Sequence, residues 1–182
     1  MLVNEFEKKI IITFEQYEKL SDFFKNFKTR NVVQINYYYD TYNEKLRKNN
    51  ITCRIRQKDD TLVGTIKKHI TNDDRSVEQN FEVKSLPYIM KIDETDVSLK
   101  GQLTTFRSIY TVSESIDLIL DKNIYLGTVD YEIEVEYNDG YEREADRFIN
   151  NLIEIIGKQA SCEQRISKSE RFFEKLNSLD VL

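Results

Sequence analysis

At 182 residues, with 40% hydrophobic and 12% aromatic content, the chain suits a single domain over residues 1–182 with a sizeable core. Its charged fraction of 32% and net charge of −5 leave no surplus of Lys and Arg to neutralise a phosphate backbone, which argues against non-specific nucleic-acid binding. One histidine, His69, sets aside a catalytic triad and a His-rich zinc site.

Read as a strand, the opening run Glu5-Phe6-Glu7-Lys8-Lys9 puts Glu5, Glu7 and Lys9 on one face and Phe6 and Ile10 on the other. The N-terminal stretch Met1-Leu2-Val3-Asn4-Glu5 carries no basic region followed by an apolar run, and no segment of the chain approaches the ~18 apolar residues of a membrane span, so a cytoplasmic protein without a membrane partner is expected. Thr13-Phe14-Glu15-Gln16 reads as a capping box. Phe14, Tyr17, Leu20, Phe24 and Phe27 continue it at helical spacing. A strand from Val32 to Asp40 follows, then a short helical piece from Tyr42 to Lys48. Residues Ile51 to Lys58 and Thr61 to His69 flank Asp59-Asp60 as a hairpin.

A strand from Ser76 to Val83 sets Glu78, Asn80 and Glu82 opposite Val77, Phe81 and Val83. The only proline, Pro87, is expected in the first turn of a short helix reaching about Asp93. Leu103 to Val112 and Ile116 to Lys122 read as a strand pair carrying Arg107 and Asp121 on the charged side. Asp139-Gly140 ends a strand through Glu132, Glu134 and Glu136. Phe148, Leu152, Ile155 and Ile156 then mark a long helix closed by Gly157, and Ser167 to Leu176 a last one. Cys53 falls on an apolar face, and with Cys162 it makes no metal-type spacing, so free thiols are expected.

Three strands carry charges in register: Glu5, Glu7 and Lys9; Arg54 and Arg56; Glu132, Glu134 and Glu136. One such strand is what a sheet with one wet side produces. Together they fit an α+β fold with an antiparallel closed β-barrel, a polar lumen and outer helices. Carboxylates suited to a divalent cation, with guanidinium and ammonium groups suited to an anion, point to a metal-bound polyphosphate.

Glu5-x-Glu7-x-Lys9 resembles the ExExK signature of the CYTH superfamily of triphosphate tunnel metalloenzymes. Supporting matches follow in the family's order: Tyr39-Asp40-Thr41, Arg54-Ile55-Arg56, Thr65-Ile66-Lys67, the run from Gly101 to Arg107, Leu120-Asp121, and the run from Asp130 to Glu136. The resemblance implies an eight-stranded antiparallel tunnel that hydrolyses or cyclises a triphosphate with Mg2+ or Mn2+. Carried over by position, it makes Glu5, Glu7, Glu132 and Glu134 the metal set, and Lys9, Arg54, Arg56, Lys67 and Arg107 the phosphate set. Glu5, Glu7, Lys9, Arg54 and Arg56 would form the catalytic group, with Glu78, Glu82, Asp121 and Glu136 as further candidates. Lys168, in Lys168-Ser169-Glu170-Arg171-Phe172, resembles a tail element that returns to the tunnel and adds a substrate contact. The resemblance also implies a homodimer.

Two departures bear on function. Where many members have an RxExE strand, this chain has Ser76-Val77-Glu78-Gln79-Asn80, with Arg75 out of register; and the His-Phe pair that precedes ExExK in class IV adenylate cyclases is absent. The expected activity is therefore metal-dependent hydrolysis of a small triphosphate, inorganic triphosphate first and thiamine or nucleoside triphosphate next. A class IV adenylate cyclase and a non-catalytic polyphosphate or nucleotide binder are the alternatives.

Overall fold

Alternating apolar and charged residues build β1 (Leu2–Ile12), and Thr13 ends it by starting a helix. In the computed structural model, residues 2–69, 75–157 and 166–179 are described, residues 2–5, 69 and 75 by backbone alone. The expected capping box is present: Gln16 N–H donates to Thr13 Oγ1 at 3.3 Å and Thr13 N–H to Gln16 Oε1 at 3.0 Å, opening α1 (Phe14–Phe24). There follow β2 (Thr29–Asp40), α2 (Lys45–Lys48), β3 (Ile51–Lys58), β4 (Thr61–His69), β5 (Arg75–Glu82), β6 (Ile89–Ile92), β7 (Thr95–Ser113), β8 (Ile116–Tyr125), β9 (Thr128–Tyr137), α3 (Glu142–Ile156) and α4 (Lys168–Leu179). The strand pairs with assigned register are all antiparallel.

The chain divides into two compact units, one of Met1–Glu5, Val33–Thr104 and Ser167–Leu182, the other of Phe6–Val32 and Thr105–Ile166. In the first unit β2, β3, β4 and β5 are neighbours in that order, and β6 pairs with the start of β7. Its apolar cluster gathers Tyr39, Cys53, Ile55 and Val97, with Leu46, Met90, Ile92 and Leu99 packed around them. In the second unit β1, β9, β8 and β7 are neighbours, and the apolar face of this sheet packs on two helices. Ile10, Leu118, Leu120, Ile133 and Val135 meet Leu20 and Phe24 of α1 and Ala145, Ile149, Leu152 and Ile156 of α3. The amphipathic stripes of α1 and α3 account for this packing.

Turn chemistry explains the sharp reversals. Leu126 and Gly127, at φ 45 and 74, make the two-residue link between Tyr125 and Thr128, the mirror-image turn that matches strand twist. Asp59, at φ 52, bends the β3–β4 hairpin between Lys58 and Thr61.

Two expectations are corrected. Pro87 does not start a helix; residues 89–92 form β6, which makes nine strands among the described residues where eight were expected, paired with β7 from Ile89 opposite Ser98 to Ile92 opposite Thr95. Asp93 takes φ 50 in the intervening turn, and the Pro87 carbonyl accepts the Tyr39 hydroxyl at 2.6 Å, so the proline is anchored just ahead of a strand rather than in a helical first turn. The helical piece expected from Tyr42 to Lys48 is confined to Lys45–Lys48. Asp40 stops it from reaching further back, its Oδ1 accepting from Leu46 N–H at 2.9 Å and its Oδ2 from Arg47 N–H at 3.0 Å.

Cys53 is a buried free thiol, as expected, whereas Cys162 lies outside the described residues. No helix among the described residues is long and apolar enough to cross a membrane.

Candidate functional site

Strand register places the charged residues face by face, because residues directly opposite in an antiparallel pair share a side of the sheet. In the second unit Glu7 lies opposite Glu136 and Lys9 opposite Glu134, while Glu134 lies opposite Ile119 and Glu132 opposite Asp121. Carboxylate oxygens of Asp121, Glu132 and Glu134 lie within 4.8 Å of one another, as do those of Glu7, Glu134 and Glu136. Glu134 therefore belongs to both groups. Asp121 and Glu132 are each 0% exposed, so this is an interior cluster and not a wet sheet face.

Arg107 holds the cluster together. Its Nε donates to Asp121 Oδ1 at 2.9 Å and its Nη2 to Asp121 Oδ2 at 2.7 Å, and Nη2 also reaches Glu134. Burial opposes its charge, but Glu134, Asp121 and Glu136 outweigh that and raise its pKa. Burial pushes the Glu134 carboxyl above its ordinary range, with Arg107 opposing and Glu7 and Asp121 adding to the rise. Lys9 Nζ donates to Glu7 Oε1 at 2.6 Å, a pair two residues apart along one strand face. A second polar network lies on β7, β8 and β9 beyond the expected residues: Thr105 donates to Asn123 Oδ1 at 2.8 Å, and Asn123 Nδ2 and the Tyr125 hydroxyl donate to the half-buried Asp130 at 2.9 and 2.7 Å.

In the first unit the register sets Asn36 opposite Arg56, Tyr38 opposite Arg54, Thr52 opposite Lys67, and Lys67 opposite Glu78, all on one face. Glu78 sits between two cations, 3.4 Å from Arg54 Nη2 and 3.5 Å from Lys67 Nζ. Arg56 Nε donates to Asn36 Oδ1 at 3.0 Å. Lys67 is only 7% exposed, which is costly for an ammonium group unless anions accompany it. α4 packs on this same face, through Phe172 against Tyr38 at 5.0 Å between ring centroids and Ser169 Oγ 2.9 Å from Thr52 Oγ1. It thus docks on the charged face of its sheet, whereas α1 and α3 dock on the apolar face of theirs. Lys168 is its first residue and is half-buried.

Of the expected residues, the second unit brings together Glu7, Lys9, Arg107, Asp121, Glu132, Glu134 and Glu136, and the first brings together Arg54, Arg56, Lys67 and Glu78. Glu82 is exposed, opposite Val63. Glu5 lies in β1, its side chain outside the described residues. Sequence reading passed over Asn36 and Asn123, and took Thr105 and Asp130 only as members of family-like runs, with no role of their own. Strand parity could have found them, since Asn36 alternates with Tyr38, Thr105 with Arg107, Asn123 with Asp121 and Asp130 with Glu132.

The oxygen-only donor set of Asp121, Glu132 and Glu134 fits a hard divalent cation such as Mg2+ or Mn2+. Glu7 and Glu136, meeting at Glu134, widen that set.

Known proteins share this arrangement of strands. The chain is 27% identical over 187 residues to YjbK of Bacillus subtilis, whose name carries a provisional triphosphatase assignment, covering 94% of this chain and 95% of that protein. A Bacillus halodurans structure described provisionally as an adenylate cyclase superposes with a TM-score of 0.75 at 23% identity, over 94% of this chain and 98% of that one. HpAC1 from Hippeastrum, described as having a dominant triphosphatase activity, gives a TM-score of 0.73 at 21% identity over 96% of each chain. These two likenesses establish the fold. The CYTH domain matches residues 4–169, nearly the whole length, and the chain belongs to the CYTH domain family.

Proposed function

We propose that the protein hydrolyses a small triphosphate with the help of a divalent cation, inorganic triphosphate being the first candidate substrate. The observation that carries this reading is the buried carboxylate trio Asp121, Glu132 and Glu134, whose oxygens lie within 4.8 Å of one another. Membership of the CYTH domain family, the triphosphatase name of YjbK and the triphosphatase activity described for HpAC1, itself named an adenylyl cyclase, support it.

Glu7, Glu132 and Glu134, with Asp121 and Glu136 beside them and Glu5 from the same strand as Glu7, would hold the cation. When bound, Mg2+ or Mn2+ neutralises phosphate charge and lowers the pKa of a water molecule toward neutrality. Arg54, Arg56 and Lys67 bind and orient the phosphates. The guanidinium groups act as planar forks and Lys67 as a point charge, and Glu78 keeps Arg54 and Lys67 in place between turnovers. Arg107 fixes the orientation of Asp121 and Glu134, and Lys9 that of Glu7. Lys168 adds a further cation at the start of α4. Phosphoryl transfer depends mainly on positioning and charge stabilisation, which these groups supply without a histidine base.

Phosphate release from inorganic triphosphate, thiamine triphosphate and ATP, each with Mg2+, Mn2+ or chelator, tests the reading beside a Glu7→Ala control. Metal-dependent release that the control lacks supports a triphosphatase and ranks its substrates. Cyclic AMP from ATP without free phosphate would instead establish a cyclase.

A further inference from the structure

Four buried side-chain atoms on β2–β5 lack a hydrogen-bond partner among the described residues: Gln34 Nε2, Asn36 Nδ2, Arg54 Nε and Ser76 Oγ. Register puts all four on the cation-bearing face of the first unit, since Gln34 lies opposite Lys58, Asn36 opposite Arg56, Tyr38 opposite Arg54, and Ser76 two residues before Glu78 on the same strand. Three of them are N–H donors. Buried donors are nearly always paired in folded proteins, and several orphans on one face signal a missing acceptor.

Asn36 is the most informative. Its Oδ1 accepts from Arg56 Nε at 3.0 Å, and because a guanidinium only donates, the amide cannot be turned the other way. The Nδ2 group is therefore a donor by necessity, in a residue 0% exposed. Gln34, one step along the same face and 4% exposed, also leaves its Nε2 without a hydrogen-bond partner. An apolar side chain of similar size would fill either place at lower cost if packing were the only demand.

We infer that Gln34 and Asn36 form a neutral donor subsite beside Arg56 that takes phosphoryl oxygens of a condensed phosphate. The inference rests on the proposed triphosphate-binding reading and adds two residues to it. The ligand chemistry follows from the donors: an acceptor-rich, donor-free anion satisfies amide N–H groups and the Arg54 Nε together, and neutral amides add hydrogen bonds without adding charge to a face that already holds Arg54, Arg56 and Lys67. Asn36 has a second part to play, in positioning Arg56.

The test is calorimetric binding of inorganic triphosphate to the full chain, with and without Mg2+, for the wild type, Gln34→Met and Asn36→Leu, and for Asn36→Leu in an Arg56→Met background. Thermal melting is recorded for each. Gln34→Met should weaken binding about tenfold, the scale for losing a hydrogen bond to a charged group. Its melting temperature should stay level or rise, since an orphaned donor has been removed. Asn36→Leu should weaken binding both alone and in the Arg56→Met background, which separates direct donation from positioning of Arg56. Wild-type binding with Gln34→Met and both Asn36→Leu proteins within twofold of their parents would overturn the subsite and leave the triphosphate reading intact. No triphosphate binding by the wild type would overturn both. Should one variant fail to fold, the other decides the outcome.

Discussion

Arg107 and Asp121 are joined by two parallel hydrogen bonds, of 2.9 and 2.7 Å, with the carboxylate 0% exposed. The same guanidinium also reaches Glu134, so one cation holds two of the three carboxylates best placed for a metal. Such a pair fixes geometry more than it adds stability, but breaking it leaves buried negative charge uncompensated.

Arg107→Ala should therefore destabilise the fold by about 3–5 kcal/mol, the scale for removing one partner of a buried ion pair. Urea denaturation followed by circular dichroism measures this. A loss below about 1 kcal/mol, the scale of a surface pair, would show that the carboxylates are not held in the way described.

Glu134→Gln keeps the size of the side chain but removes the carboxylate common to both clusters. Phosphate release should fall by roughly 10²–10³-fold, the scale for deleting one preorganised electrostatic group. Mn2+ affinity, read by electron paramagnetic resonance, should drop in parallel while the circular dichroism spectrum is unchanged. Undiminished release with normal Mn2+ binding would remove Glu134 from the site.

Burial, with Asp40 adding to it, pushes the Cys53 thiol from its ordinary 9.0 up to about 12. The raised pKa means that the stability linked to this group is fully present below pH 9 and is lost as pH climbs toward 12. At pH 8.5 the folded protein should resist iodoacetamide at Cys53, and the protein unfolded in guanidinium should react; peptide mass mapping separates this residue from Cys162. Rapid labelling of folded protein at Cys53 would contradict the burial of β3 against β6 and β7.

Gly64 lies opposite Phe81, and a Cβ added there would run into the Phe81 ring. Gly64→Ala should cost about 1–3 kcal/mol, as overpacking does. Combining it with Phe81→Leu should recover part of that loss, because the two positions share one space. Strict additivity in the double mutant would show that the ring does not occupy that volume.

Much of the fold was legible because strand periodicity leaves a plain trace. Glu132, Glu134 and Glu136 alternate with Ile133 and Val135, and one side of that strand meets α1 and α3 while the other carries the carboxylates. Thr13 and Gln16 announced a helix start because a capping box uses only local contacts. Pro87 misled because proline fits a first helical turn and an extended segment equally well, and the choice fell to the Tyr39 hydroxyl, 48 residues away.

Which side chains share a strand face follows from residue order alone, since a two-residue period is a property of the backbone and needs no partner strand. Which of those charges meet depends on how the strands pair and the helices dock. Arg107 was expected among the phosphate-binding cations and is found bound to Asp121 and Glu134; Glu78 was a minor candidate and is found between Arg54 and Lys67. α4 carries the same kind of apolar stripe as the outer helices, yet Phe172 and Ser169 bring it onto the charged face of β2 and β3. Register, pairing and helix docking join residues far apart in the chain, and their energies depend on burial and counter-charges that a local pattern does not contain.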